Sequence, residues 1–358
     1  MKILLVTLHS QNNNFGSVLQ ANSLYQFINS LGHEIEILDY RPYYSNGAVN
    51  AKAFLKKIIT NVIFFPFFVI RSKRFNALIK QESTTKRYNS YGELEKMEDT
   101  YDLYMIGSDQ VWNPHYLCGK DPAYYLKFIN NKKKMSYAAS IGTEEISDAD
   151  AKNILKNIKD FKYVSFREEQ SALRIQGAGR EDAKYVLDPV FLYDVNHYRN
   201  MQKSAKDSGY ILAYVIHKDP FIEDVITKIS QKLNKKVIQI GGFASKCKAD
   251  TFYRSAGPYE FLGLMDGADY VITSSFHGTA FAHIYRKQFS VVMPYENQLR
   301  LKNILESAGT TDRIINKISD ISLINNKIDY EKVEDKLSIL KEKSRQYLKQ
   351  SIEGIKEN

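Results

Sequence analysis

Short apolar runs alternate along this chain with single segments of helical periodicity, and this alternation constrains the fold more than any other feature. The apolar runs with the composition of β-strands are 2–8, 34–38, 101–106, 134–139, 163–166, 185–187, 210–216, 236–240, 270–273 and 289–293. The segments with helical periodicity are 17–31, 149–159, 168–175, 221–233, 258–265 and 278–286. Strands that are separated by single helices pair in parallel, as βαβ units. The sequence therefore predicts an α/β fold with parallel sheets.

The length of the chain and one break in the pattern indicate two domains. A chain of 358 residues is too long for one ordinary core and suits two α/β domains. The pattern breaks after Asp188-Pro189, where the polar run 197–207 is typical of a linker. A long charged segment with apolar residues at helical spacing closes the sequence, and we expect that helix to pack back on the first domain. The predicted units are a first domain at 1–195, a second domain at 196–328 and the C-terminal helix at 329–358.

The charge balance favours an anionic partner. There are 50 basic and 41 acidic residues, which gives a formal net charge of +9. The basic residues are scattered and no zinc-finger spacing occurs, so we expect no nucleic-acid partner. Cys118 and Cys247 are far apart and support neither a disulfide framework nor a zinc site. The opening run 1–8 is too short for a signal peptide, and no run approaches the ~20 apolar residues that span a bilayer, so we expect a cytoplasmic protein.

An apolar run at 62–70 stands out inside a basic insertion of the first domain at 51–80, with Pro66 in its middle. The basic residues that flank this run are Lys56, Lys57, Arg71, Lys73 and Arg74. One interpretation is a buried pair of helices with a kink at the proline. The other is an interfacial anchor, whose aromatic rings enter the headgroup boundary of a membrane while the basic flanks meet anionic lipid. The sequence leaves both interpretations open.

The segment 271–282 carries the clearest chemical signal. An apolar strand ends in two serines, a histidine and a glycine follow almost at once, and a helical pattern then begins. A helix N-terminus presents unpaired N–H groups and the positive end of the helix dipole, which suits an anion. His277 would place a titratable proton carrier beside that anion, unless it only hydrogen-bonds the backbone at the helix start. Further donors to the anion would come from Ser274, Ser275, Gly278 and Thr279.

The other histidine of this region, His283, has no obvious partner, and we expect it to be structural. The sequence contains no HxH or HExxH pattern, so we expect no catalytic metal.

The loop 11–17 joins the first strand to the first helix, where doubly wound sheets hold their ligands. It lacks the GxGxxG pattern, so a dinucleotide is not expected. Gly16 would let a ligand approach the backbone, and Asn14 would bind sugar hydroxyls. The alternative is a plain capping loop, with Asn14 or Ser17 as the N-cap.

The loop 106–114 follows another strand and holds the only tryptophan of the sequence. Its polar and aromatic residues together are typical of a carbohydrate site, in which a ring stacks on the sugar and amides bind hydroxyls. Asp109 would act as general base for a sugar hydroxyl, or it is only a cap. The candidate substrate-binding residues of this loop are Ser108, Gln110, Trp112 and Asn113.

Arg167 stands where a third strand end opens into a helix. A guanidinium at this point would aim a planar fork into the cleft, suited to a carboxylate or a phosphate. Glu168 and Glu169 follow it and fit the first helical turn on dipole grounds alone.

These motifs together resemble the polysaccharide pyruvyl transferase family over roughly the first 300 residues. The motifs are Asn-Phe-Gly at 14–16, Gly-Ser-Asp-Gln-x-Trp-Asn at 107–113, Ser-Phe-Arg-Glu at 165–168, Leu-Asp-Pro at 187–189 and Ser-Ser-Phe-His-Gly at 274–278. The resemblance implies two Rossmann-like domains that face each other across a cleft, similar to GT-B glycosyltransferases. The family's histidine maps onto His277 and its arginine onto Arg167. Two positions depart from the common pattern, since Ser275 stands where many members have arginine and Ser17 where many have an acidic residue.

The resemblance also implies a reaction. Pyruvyl would pass from phosphoenolpyruvate, bound on the second domain, to two hydroxyls of one sugar on the first domain, which forms a cyclic ketal and releases phosphate. We expect His277 as acid and base, Arg167 as the anion clamp and Asp109 as a further catalytic group, with no cofactor beyond the donor substrate. The acceptor implied is a lipid-linked oligosaccharide of a surface polysaccharide such as a capsule, met at the inner face of the cell membrane through 54–74.

Two other functions remain open from the sequence. The first is a glycosyltransferase of the same architecture that uses a nucleotide sugar, with Asp250 or Glu260 as candidates to hold the ribose. The second is a two-domain sugar-binding protein without catalysis.

Overall fold

The computed structural model describes residues 1–9, 13–44, 51–130, 133–216, 219–241, 249–295 and 298–357, with the side chains of the helix that begins at residue 51 described from Phe64 onward. The strands are β1 (Lys2–Val6), β2 (Glu34–Ile37), β3 (Leu103–Ile106), β4 (Lys134–Ser136), β5 (Ser165–Phe166), β6 (Lys184–Tyr185), β7 (Tyr210–Tyr214), β8 (Val237–Ile240), β9 (Thr251–Tyr253), β10 (Ala268–Thr273) and β11 (Gln288–Val291). The helices are α1 (Phe15–Ser30), α2 (Ala51–Ile79), α3 (Tyr91–Leu94), α4 (Asp148–Asn157), α5 (Glu169–Gly177), α6 (Val195–Met201), α7 (Pro220–Leu233), α8 (Pro258–Gly267), α9 (Phe276–Ile284), α10 (Leu299–Ala308) and α11 (Tyr330–Lys356). Short 3₁₀ turns lie at Cys118–Lys120, Pro122–Tyr125, Pro189–Leu192, Thr311–Arg313 and Ile318–Asn325.

Two parallel sheets form the centres of two α/β layers. The first has the strand order β2-β1-β3-β4, and single bridges from β4 and its continuation reach Tyr163 and Phe166, next to the β5–β6 pair. The second has the order β11-β10-β7-β8-β9, and every pairing within it is parallel. Strands such as β3 and β7 are buried along their whole length, because helices cover both faces of a parallel sheet. The predicted fold of two Rossmann-like domains that face each other across a cleft is confirmed.

The C-terminal helix α11 spans both domains. Val333 and Leu337, near its start, pack into the core around the second sheet. Leu348, Ile352 and Ile355, near its end, pack into the core around β1 and β3. The hydroxyl of Ser344 accepts a hydrogen bond from the backbone N–H of residue 187, at 2.9 Å. The predicted helix that packs back on the first domain is confirmed.

The insertion forms one long helix, α2, which includes Pro66. Its last turns pack against α1 and α8, with Phe75 and Leu78 buried. The aromatic residues before them face outward, since Phe65 is 61% exposed and Phe68 51% exposed. The interpretation as a buried helix pair is therefore wrong for this described part. Lys56, Lys57, Val62 and Ile63 lie outside the described side chains.

Some elements were not predicted. Helix α6 lies in the stretch interpreted as a linker, where Asp194 accepts hydrogen bonds from the N–H groups of residues 196 and 197 as the N-cap. Strand β9 is a short edge strand, and helix α10 follows β11 along the chain. The domain boundary at residue 195 stays a prediction.

Candidate active site

Helix starts from the two domains meet at the centre of the molecule. Gly16, in the first turn of α1, packs so closely on the His277 ring that a Cβ at residue 16 would lie 2.0 Å from Nδ1. His277 lies in the first turn of α9, which Ser275 caps with its hydroxyl. Asn14 is the N-cap of α1, so the capping interpretation of the first loop is confirmed for that residue. The dipoles of both helices therefore point their positive ends at the same region.

Asp188 lies in the middle of this region and is almost completely buried. Its Oδ2 accepts hydrogen bonds from Arg167 Nη1 at 2.8 Å and from Ser108 Oγ at 2.9 Å. The same oxygen is 3.7 Å from His277 Nε2, a charge contact that is too long for a hydrogen bond. Burial alone would raise the pKa of Asp188, but His277 and Arg167 outweigh it and hold that pKa well below its usual range. Asp188 is therefore an ionised carboxylate that bonds Arg167 and lies beside the His277 ring.

Arg167 is only 2% exposed and is held by carboxylates on two sides. Besides the bond to Asp188, its Nε donates to Glu168 Oε1 at 3.3 Å. Glu168 is buried as well and also accepts from Ser140 Oγ at 2.6 Å. Among the described residues, Nη2 of Arg167 has no hydrogen-bond partner, and Asp109 Oδ1 lies 3.9 Å from it. One end of the guanidinium fork is thus open to an acceptor that the described residues do not supply.

Asp109, in the loop after β3, belongs to the same group of buried charged residues as Asp188, Arg167 and Glu168. Its backbone lies in the left-handed region, with φ of 75°, which is uncommon for a residue other than glycine. Its Oδ2 accepts a hydrogen bond from Ser17 Oγ at 2.6 Å, and Oδ1 accepts one from the backbone N–H of residue 110. Ser17, one of the two departures from the family pattern, therefore donates to the Asp109 carboxylate. An acidic residue at position 17 would instead repel that carboxylate.

The remaining predicted residues of the 274–279 segment build the start of α9. Ser274 Oγ accepts from the N–H of residue 216, and Thr279 Oγ1 donates to the carbonyl of Ser275. A Cβ at Gly278 would lie 2.2 Å from Thr273 Oγ1, so only glycine fits there. Thr279 is buried and its hydroxyl is bonded within the helix, so direct substrate contact by that side chain is not supported.

Trp112 and Asn113 also differ from their predicted roles. Trp112 is completely buried, stacks on Tyr125 with ring centroids 5.8 Å apart, and donates from Nε1 to the Tyr124 carbonyl. The prediction that this ring stacks on a sugar is wrong, because both of its faces lie in the core. Asn113 is equally buried and donates to Gln110 Oε1 at 2.8 Å, so it fixes the loop rather than facing the cleft.

Arg300 lies near Arg167, Asp109 and Glu168, and it was not identified as a site residue from the sequence. It lies in the first turn of α10, one turn before Asn303, whose side chain bonds the carbonyl of Arg167 and the N–H of Glu169. Burial lowers the pKa of Arg300, and the neighbouring Arg167 lowers it further. Within the described part of the chain, its buried Nε has no hydrogen-bond partner. The apolar spacing of Leu301, Ile304, Leu305 and Ala308 is the signal that could have found this helix.

His283 has the structural role expected of it. Its ring nitrogens contact the carbonyl of Thr279 at 2.9 Å and the hydroxyl of Thr310 at 3.0 Å. Burial lowers the pKa of His283 to about 4, so the ring is neutral near pH 7.

The fold and the site together define a GT-B-like protein with a charged centre between two α/β domains. A family model described as polysaccharide pyruvyl transferase matches residues 14–296, a span that contains all the residues of the centre except Arg300 and Asn303. The chain therefore belongs to the polysaccharide pyruvyl transferase family. No curated protein matches it in sequence.

Solved structures share the fold at low sequence identity. The UDP-GlcNAc 2-epimerase of Methanocaldococcus jannaschii, in complex with UDP-GlcNAc and UDP, has a TM-score of 0.51 at 13% identity, over 95% of this chain and 98% of that one. The UDP-N-acetylglucosamine 2-epimerase of Rickettsia bellii has a TM-score of 0.52 at 10% identity, over 99% and 97%. An α-glucosyltransferase in complex with UDP and a 13-mer DNA has a TM-score of 0.50 at 9% identity, over 98% and 94%. At these identities the likeness establishes the fold alone.

Proposed function

We propose that this pyruvyl transferase takes pyruvyl from phosphoenolpyruvate and joins it to two hydroxyls of one sugar, which gives a ketal and phosphate. The observation that carries the proposal is the meeting of His277 and Arg167 across the domain boundary, each with a buried nitrogen that lacks a partner among the described residues. Leaving a buried donor unpaired is costly, so such donors indicate a place for a ligand. A carboxylate and a phosphate supply acceptors for both.

The chemistry assigned to these residues is as follows. His277, as imidazolium, gives a proton to the methylene carbon of phosphoenolpyruvate, and the adjacent carbon becomes cationic. One sugar hydroxyl adds to that carbon and passes its proton to Asp109 or to the now neutral His277. The bond from that carbon to the phosphate oxygen then breaks, and phosphate leaves with the bonding electron pair. The second hydroxyl adds to the carbon and gives its proton to the departing phosphate, which closes the ketal. A positioned proton donor contributes about 10²–10⁴-fold to such a rate.

Asp188 supports this step as a positioning residue. It is ionised, and its oxygen stands 3.7 Å from His277 Nε2, so it stabilises the imidazolium that the proton transfer needs. Arg167 and Arg300 provide positive charge for the donor, and Arg300 supplies the second guanidinium that position 275 lacks in this chain.

Replacement of His277 tests the proposal. We expect His277→Ala to abolish phosphate release from phosphoenolpyruvate with an oligosaccharide acceptor, while the variant stays folded by circular dichroism. His33→Ala is the matched control, because this partly buried histidine lies at the turn between α1 and β2. Near-normal turnover in a folded His277→Ala protein would remove this residue from the mechanism.

A nucleotide-sugar donor is the rival function. Both acidic residues named for it are engaged elsewhere, since Asp250 accepts from the N–H of Val237 and Glu260 pairs with Arg74 at 3.2 Å. Thermal-shift measurements with phosphoenolpyruvate, UDP-sugars and CMP-sugars separate the two, because the bound donor raises the melting temperature. A non-catalytic sugar-binding protein would bind oligosaccharide and release no phosphate.

We further propose that the outward face of α2 lies against a membrane that carries a lipid-linked acceptor. Phe65, Phe67, Phe68 and Ile70 are each more than 40% exposed, which leaves a contiguous apolar surface uncovered. Two of the flanking basic residues contact the protein itself rather than facing the proposed membrane. Arg71 lies over the rings of Phe15 and Phe75, and Arg74 pairs with Glu260. Among the described residues, no helix combines the length and apolar character that crossing a bilayer requires.

Co-sedimentation with anionic liposomes tests this contact. We expect serine at residues 64, 65, 67 and 68 to reduce binding strongly while turnover of a soluble acceptor stays unchanged. Unchanged liposome binding by that variant would contradict the proposal.

A further inference from the structure

A cavity of about 1110 Å³ opens next to the charged centre. Its walls come from both domains: Tyr116 and the segment 143–148 on one side, Tyr295 and Gln298 on the other. This volume is slightly above the usual range for small-molecule sites, which run to about 1,000 Å³. A ligand of more than one ring therefore fits.

The cavity continues directly from the segments that carry the candidate catalytic residues. Tyr116 follows the loop of Asp109, and its hydroxyl is close enough to contribute to the electrostatic surroundings of Arg300. Gln298 immediately precedes α10, in whose first turn Arg300 lies. A molecule in the cavity would thus lie between the domains, beside the segments that carry Asp109 and Arg300.

The side chains that line the cavity suit a sugar. The rings of Tyr116 and Tyr295 are 38% and 82% exposed, and flat exposed rings stack on the apolar faces of pyranoses. Carboxylates of Glu145 and Asp150 add hydrogen-bond acceptors for hydroxyl groups.

The lining also selects by charge. Four carboxylates face the cavity, those of Glu144, Glu145, Asp148 and Asp150, against the guanidinium of Arg174. Lys302 pairs with Glu144 at 2.6 Å, and Arg174 is paired with Asp148. Glu145 and Asp150 remain outside any ion pair in the described part of the chain, so the cavity keeps a negative potential that repels anionic sugars.

We propose that this cavity is the acceptor subsite and that it takes an oligosaccharide end built of uncharged or amine-bearing sugars, not uronic acids. The proposal rests on the pyruvyl transfer proposed above, because it assigns the second substrate of that reaction. The donor stays at Arg167, Arg300 and His277, and the acceptor reaches it from the Tyr116 side.

Substitution of the aromatic wall tests the site. We expect Tyr116→Ala to raise KM for a neutral oligosaccharide about three- to tenfold, with KM for phosphoenolpyruvate unchanged, and Tyr116→Phe to restore most of the affinity because the ring is kept. Tyr43→Ala is the control, since Tyr43 is 91% exposed and does not line this cavity. Equal acceptor KM in the wild type and Tyr116→Ala would overturn the assignment.

The charge selection has its own test. With Glu145→Gln, we expect the preference in kcat/KM for an amino sugar acceptor over a uronic acid acceptor to shrink severalfold, and 300 mM NaCl to shrink it in the wild type. No dependence on charge or salt would overturn the substrate class. Saturation-transfer NMR with neutral disaccharides alone reports binding without donor. The wild type could give this signal, and Tyr116→Ala lose it, while the wild type releases no phosphate from phosphoenolpyruvate. That result would contradict the proposed pyruvyl transfer and still support the sugar-binding site.

Discussion

Adding one methyl group at Gly16 tests whether His277 must stand where the structure places it. In Gly16→Ala the new Cβ would lie 2.0 Å from Nδ1 and 2.4 Å from Cγ of His277. Ordinary contacts begin at 3.4 Å, so the imidazole must retreat by roughly 1.4 Å, or the domains must part by as much. Either movement shifts the His277 ring from its position beside Asp188, whose Oδ2 is 3.7 Å from Nε2.

The expected effect is large on turnover and small on folding. A misplacement of ~1 Å at a reacting group lowers a rate by about 10²-fold. Crowding of this kind costs about 1–3 kcal/mol of stability, which a two-domain protein of this size withstands. We therefore expect kcat to fall by about 10²-fold, with a melting temperature only a few degrees lower.

The assay is phosphate release from phosphoenolpyruvate with an oligosaccharide acceptor, alongside thermal unfolding. Gly92→Ala is the matched control, because a Cβ there meets nothing within 4 Å and the residue lies in the short helix α3. We expect Gly92→Ala to keep wild-type kcat. If Gly16→Ala also keeps it, the imidazole does not act from this position and the reasoning about the helix starts is refuted.

Three further predictions follow from the buried groups. Asp188→Asn leaves Arg167 with Glu168 alone as a close partner, so we expect a loss of about 3 kcal/mol in urea unfolding at pH 7. The stabilisation from the depressed pKa of Asp188 is fully present above the usual carboxyl range and is lost as the pH falls toward that depressed pKa, so we expect the variant to lose less stability in acid than the wild type. Arg300→Met should raise KM for phosphoenolpyruvate about tenfold and Arg300→Lys less, whereas equal donor KM in all three proteins would place the donor elsewhere. The pKa of His283 is lowered from 6.5 to about 4, so between these pH values the unfolded chain binds a proton that the folded chain does not. The free energy of unfolding therefore rises with pH across that interval by up to ~3 kcal/mol. We expect His283→Gln to flatten this rise.

The strand ends could be located from the sequence because parallel sheets present their ligand loops at the carboxyl ends of strands. That rule brought the loops of Gly16, Asp109, Arg167 and His277 together correctly. It did not identify Asp188, whose Asp-Pro pair was interpreted as the start of a linker. The partners of Asp188 come from three separate segments of the chain, and no local pattern shows that they converge.

Residue type was misleading where burial decided the role. Trp112 has the composition expected of a sugar platform, but Tyr125, Phe161 and Phe166 surround its ring. An aromatic ring gains more free energy from full burial than from exposure at a cleft, and only tertiary packing shows which of the two occurs. The exposed rings beside the site, Tyr116 and Tyr295, stand in stretches with no helical or strand pattern.

Because the charged centre is buried, we expect the proposed proton transfer to depend on closure of the two domains. Arg167 and His277 are 2% and 6% exposed, so on the proposed function we expect the α1 and α9 starts to separate before the donor binds. Separation would take His277 away from Asp188, whose Oδ2 is 3.7 Å from its Nε2. Closure over the proposed donor would restore that contact and exclude water at the same time. The cationic carbon would therefore form only where the sugar hydroxyls, and not bulk water, are within reach.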